Sequence, residues 1–78
     1  MTISARFFAS IRERLGRAEA EVDAATVKCA ADVWARVTDQ TMPPNTLVAI
    51  NQEYATPEQP VRDGDEVAFF PPVTGGAP

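Results

Sequence analysis

With 78 residues the chain makes one small domain, able to bury roughly 60% of its unfolded surface, and that size favours a carrier or binding module over an enzyme with a deep pocket of its own. Eleven acidic against seven basic residues give a net charge of −4 with no Lys/Arg run to track phosphates, which argues against nucleic acid and for a protein partner with a basic docking face, or for solubility alone. The absence of histidine and the single cysteine exclude imidazole catalysis, an internal disulfide and most zinc sites, so no metal is expected.

The first residues lack the basic and apolar regions of a signal peptide, and no apolar run reaches bilayer length. A reducing cytoplasm without a membrane partner is the expected setting. Alternation predicts a strand over Thr2 to Phe8, with Ile3, Ala5 and Phe7 on the core face and Ser4, Arg6 and Phe8 on the other. Ile11 to Leu15 is predicted as a short helical turn that ends at Gly16, where a positive φ reverses the chain. Glu19 to Asp23 follows as a strand with Ala20 and Val22 inward and its three acids in water.

Thr26 is the expected N-cap of the main helix. Val27, Ala30, Trp34 and Val37 recur at helical spacing, and Asp32 and Arg36 form an i,i+4 pair on the wet side. Met42-Pro43-Pro44-Asn45 is expected to stop that helix, because proline has no amide donor and restricts its predecessor. Thr46 to Asn51 reads as a buried strand and Gln52 to Ala55 as a short returning one, interrupted by Pro57 and Pro60. Asp63-Gly64 makes a turn into a last strand, Glu66 to Phe70. No internal repeat is visible. Periodicity thus predicts an α+β domain in which one principal helix covers a mixed sheet.

The domain is expected to occupy residues 1–70 and to end in a flexible tail, 71–78. Pro71-Pro72 stiffens the start of that tail into an extended path, lowering the entropy lost if it enters a channel. Taken alone, the same pair would simply terminate a strand. Gly75 and Gly76, without a Cβ, pass where other residues cannot and could present a main-chain carboxylate inside a partner. Ala77 and Pro78 follow. While they remain, the Gly76 carbonyl is an ordinary amide, and only if the terminus is to react as a free carboxylate is their removal after synthesis expected. Addition in cloning and truncation of a fusion are the alternatives.

Residues Phe69 to Gly76, preceded by Asp63-Gly64-Asp65-Glu66-Val67-Ala68, resemble the end of the small subunits of molybdopterin synthases, a family of ubiquitin-like sulfur carriers. Phe7-Phe8-Ala9 with Arg12-Glu13 and Gly16 is similar to that family's first strand and turn, and Val48-Ala49-Ile50-Asn51-Gln52 to its third strand. A bare Gly-Gly end would be less specific, since ubiquitin-like modifiers and the thiazole-pathway sulfur carrier share it. The helix and the loop from Gln40 to Asn45 carry no matching motif.

The resemblance implies a β-grasp fold and a role for Gly76 as the sulfur-bearing terminus, with Val73, Thr74 and Gly75 lining up behind it in a partner's channel. It further implies that an ATP-dependent, ubiquitin-activating-like adenylyltransferase activates the carboxylate and that a sulfur donor protein converts it to a thiocarboxylate. The large molybdopterin synthase subunit would supply the catalytic side chains, in a complex of two small and two large subunits, while the small chain binds no cofactor itself. Two other functions stay open: a protein modifier joined to lysine through Gly76, and a noncovalent β-grasp interaction domain.

For docking, Phe8 and Phe70 fall on the face opposite Phe7 and Phe69, and with Tyr54 they form a candidate apolar patch, with Arg12 at its rim and Pro71 and Pro72 beyond it. Covering local loops is the competing role for these aromatics, and an exposed solvating charge that for Arg12. Cys29 near a helix start is expected to be a small half-buried residue rather than a sulfur relay. Trp34 is assigned to the core. Asp63, Asp65 and Glu66 are assigned to a turn rather than to acid-base chemistry.

Overall fold

The computed structural model describes residues 1–72. Strands β1 (Thr2–Phe7), β2 (Glu19–Asp23), β3 (Leu47–Ile50), β4 (Glu53–Ala55) and β5 (Glu66–Phe70) form one sheet in the order β2-β1-β5-β3-β4. β1 and β5 run parallel at its centre, and the other neighbours are antiparallel. Helices α1 (Ala9–Leu15) and α2 (Ala30–Val37) complete the α+β, ubiquitin-like β-grasp arrangement.

Strict alternation along β1 and β5 buries Ile3, Ala5, Phe7, Val67 and Phe69 on one face. Val48 from β3 and Ala30, Val33 and Trp34 from α2 close that core. Phe7 stacks on Phe69 at 5.8 Å between centroids, and the Trp34 ring meets the two edge-on at 6.3 and 5.2 Å. The indole N–H donates to the Gln40 carbonyl at 2.7 Å, so the tryptophan is a satisfied core residue.

The predicted strands stand, β2 and β5 with the expected bounds, and α1 starts two residues before the expected turn and ends on Gly16 at φ 74°. The start of the main helix differs. Asp23, not Thr26, caps a single 3-10 turn over Ala24–Thr26, and the Thr26 hydroxyl donates back to the Asp23 carbonyl. Val27 is buried but precedes α2, whose N-cap is Cys29 without a side-chain bond.

The first free amides of α2, on Ala30 and Ala31, instead donate to the carbonyls of Gln59 and Pro57. A distant loop thus does what a local hydroxyl was expected to do. Asp32 also turns to this end and accepts the Lys28 amide at 2.9 Å rather than pairing with Arg36. At the other end, α2 stops at Val37, ahead of Pro43 and Pro44. Extended Thr38 accepts the Gln40 amide through its hydroxyl, and the Trp34–Gln40 bond pins the exit.

Candidate functional site

The candidate surface is the sheet face turned away from α2. Arg6 of β1, Ala68 of β5, Ala49 of β3 and Tyr54 of β4 are successive cross-strand partners. The two alanines leave a hollow in the middle of this row. Around it stand Arg6, Phe8, Gln52, Tyr54, Glu66 and Phe70, enclosing about 300 Å³.

Phe8 continues the β1 ladder, its amide donating to the Phe69 carbonyl at 3.2 Å, so its ring lies beside that of Phe70. The rings stack at 4.7 Å and 9°, and Tyr54 meets Phe70 at 6.5 Å and 62°. Ala9, at φ 53°, bends the chain directly after Phe8 and starts α1 there. A left-handed alanine costs about 1–2 kcal/mol. Phe8 remains 39% exposed and Tyr54 78%, which leaves a contiguous aromatic surface open to a partner.

Arg6 crosses the polar side of the hollow. Its guanidinium lies 3.3 Å from Glu66 and 3.5 Å from Glu19, with all the side chains partly in water. Such pairs contribute about 0–1 kcal/mol and act as charge placement more than as structural bonds. Arg12 stands on the α1 side of Phe8, bordering a shallow depression with Arg6, Ala18 and Glu19.

The expected docking residues therefore separate into two groups. Phe8, Tyr54 and Phe70 come together around the hollow, with Arg12 adjoining Phe8. Pro71 and Pro72 instead border a separate depression of about 140 Å³ with Ser10, Ile11 and Arg14 of α1 and Pro43 of the α2–β3 loop. Val73, Thr74, Gly75 and Gly76 lie outside the described residues. Cys29 is half-buried at the start of α2, where it bridges to Pro60, and takes no part in the hollow.

Asp65 holds the turn before β5, accepting from the Arg62 amide and the Asn51 side chain at 2.9 Å each, while Asn51 accepts the Glu66 amide at 3.0 Å. Asp63 and Gly64 form the turn itself, with Gly64 at φ 89°. Sequence reasoning missed Ala49, Ala68, Arg6, Gln52 and Glu66 as parts of the surface. The alternation of Arg6, Phe8, Ala68 and Phe70 was the available signal, but which strands adjoin decides that the alanines meet. Among the described residues no helix is long and apolar enough to cross a membrane.

The ThiS family pattern matches residues 5–76. The molybdopterin synthase sulfur carrier subunit of Escherichia coli (strain K12) is 41% identical over 95% of this chain and 99% of its own. Among solved structures, the small archaeal modifier protein 1 of H. volcanii superposes with a TM-score of 0.75 at 24% identity, covering 92% of this chain and 98% of that one. Similar too is a chain in the complex of subunits 1 and 2 of the molybdopterin-converting factor from Helicobacter pylori 26695, with a TM-score of 0.65 at 20% identity over 97% of this chain and 100% of that one.

Proposed function

We propose that this chain, which belongs to the ThiS family, is the sulfur-carrier small subunit of a molybdopterin synthase. The observation that carries this reading is its likeness to the Escherichia coli sulfur carrier along nearly its whole length. The family match also runs to Gly76 and leaves Ala77 and Pro78 outside.

The chemistry follows from the inertness of a carboxylate, whose negative charge repels nucleophiles and whose oxygen is a poor leaving group. Once Ala77 and Pro78 are removed, the Gly76 carboxylate attacks the α-phosphate of ATP on an adenylyltransferase, releasing pyrophosphate and forming an acyl-adenylate. Sulfide sulfur from a donor protein displaces AMP, and the terminus becomes a thiocarboxylate. Its sulfur, anionic and polarizable like a thiolate, attacks an activated carbon in the pterin precursor, forming a C–S bond as the C–O bond there breaks and the oxygen leaves with its electron pair. Hydrolysis of the resulting thioester-like link leaves the sulfur on the pterin and returns the carboxylate to the carrier. Two such deliveries build a dithiolene.

In this reading Gly76 bears the sulfur, Gly75 gives the slim approach, and Val73 and Thr74 occupy the channel of the large subunit. The acid and base side chains belong to that subunit. Phe8, Tyr54 and Phe70 dock against it, with Arg12 at the margin, while Pro71 and Pro72, across a depression from α1, set the direction in which the tail departs. The assembly has two small and two large subunits and works in the cytoplasm.

Likeness to an archaeal modifier protein concerns the fold. A modifier would use the same Gly76 activation but end in an isopeptide bond with lysine. Intact mass and C-terminal fragmentation of the protein isolated from its own cells distinguish these fates. A chain ending at Gly76 with one oxygen replaced by sulfur is expected; a chain that always ends in Ala77-Pro78, or occurs only as a lysine conjugate, would refute the proposal. Deleting residues 76–78 should abolish sulfur transfer and leave the thermal transition where it was.

A further inference from the structure

The β3–β4 connection is a two-residue hairpin, Asn51-Gln52, in which both residues take positive φ, 53° and 72°. Such a turn is favoured by Asn followed by Gly, because the second position sits where a side chain is strained. Of the non-glycine residues in this left-handed region, Asn45 and Asn51 have the side chain that tolerates it best, and Ala9 has the smallest. Gln52, like Ala9, bears the full cost of a Cβ at positive φ, but Ala9 starts α1 there and Gln52 starts nothing. Glycine at the same place would make the same turn with less strain.

Asn51 has a structural task, tying the hairpin to Asp65 and Glu66. Gln52 has none: its exposed side chain makes no hydrogen bond among the described residues. Yet it stands on the rim of the aromatic hollow, in company with Tyr54, Glu66 and Arg6. Strain retained beside a binding surface, without a structural return, points to use by a partner. A primary amide donates and accepts at once, as a main-chain peptide group does, and so fits the polar rim of an interface whose centre is apolar.

We infer that Gln52 is a specificity-determining contact of the docking face, its amide pairing with main-chain N–H and C=O groups of the large synthase subunit. The inference rests on the docking role proposed above for Phe8, Tyr54 and Phe70. It goes beyond that role by assigning the directional, polar part of recognition to a residue that the fold itself would exchange for glycine.

The test measures binding of Gln52→Gly, Gln52→Asn and Phe70→Ala to the purified large subunit by calorimetry, with a thermal melt of each variant. Gln52→Gly should melt higher than the parent yet bind roughly tenfold more weakly, the effect of losing a hydrogen-bonded contact. Gln52→Asn, which suits the left-handed turn but is one methylene shorter, should also bind more weakly. Parental affinity in both Gln52 variants, with weakened Phe70→Ala, would overturn this inference alone. Loss confined to Gln52→Gly would assign the effect to backbone freedom and overturn it too. Undiminished binding by all three, or none by the parent chain, would bring down the docking face and this inference together. Asn45→Gly, relieving a left-handed residue away from the hollow, should bind as the parent does.

Discussion

The two faces of the central strands carry the same chemistry to different ends. Phe7 and Phe69 stack beneath α2 and are 1% and 0% exposed, while Phe8 and Phe70, one residue along on the same strands, stack on the open side. Stacking alone therefore does not distinguish a core from a docking surface. The difference lies in what covers the rings: Trp34 closes one pair, whereas the other borders a hollow floored by Ala49 and Ala68. One pair is completed by this chain. The other stays open, and in the function proposed above a second protein completes it.

Substitutions across these faces should separate stability from affinity. Phe69→Ala should have the largest effect, removing about 3–5 kcal/mol of stability by opening a cavity in the core, as read by urea denaturation; a loss no greater than that for Phe70→Ala would break the contrast between the faces. Phe70→Ala should cost about 1 kcal/mol of stability, the worth of an aromatic pair, but about 2 kcal/mol or more of binding to the large subunit. A calorimetric affinity equal to the parent's would remove Phe70 from the interface.

Tyr54→Ala follows, with stability expected within about 0.5 kcal/mol of the parent, as for exposed substitutions, and affinity reduced roughly tenfold. A collapse of the fold instead would make Tyr54 structural despite its exposure. The smallest effect is expected for Arg6→Gln, whose partly exposed pairs with Glu19 and Glu66 contribute about 0–1 kcal/mol. Its melting temperature should vary less with salt than the parent's, because screening has fewer charges to act on. An unchanged salt response would leave those pairs without measurable weight.

Much of this contrast was legible in the residues. Period-two alternation assigned Phe7 and Phe69 to one side and Phe8 and Phe70 to the other, and it placed β2 and β5 with the bounds now observed. The hollow was not legible, since Ala49 and Ala68 become neighbours only through the β3–β5 register. The start of α2 escaped for a similar reason. Thr26 carried the right local chemistry for a cap, but the loop carbonyls of Pro57 and Gln59 reached the first helical amides. Neither proline of the Pro43-Pro44 pair was needed to stop α2, because the Trp34 and Thr38 side chains had already fastened its exit. The sequence-predicted tail from Val73 to Gly76 lies outside the described residues.

Parallel pairing of β1 with β5 joins the beginning of the chain to its far end across the middle of the sheet. Contacts so distant in sequence cost loop entropy before they return stability, and they slow folding. A ribosome must therefore release Phe70 before the central ladder can close, and a chain broken off earlier exposes the edges of both β1 and β3 to aggregation. Folding and possession of the final strand become a single event, so a chain that lacks β5 loses the central ladder together with the strand from which Pro71 continues.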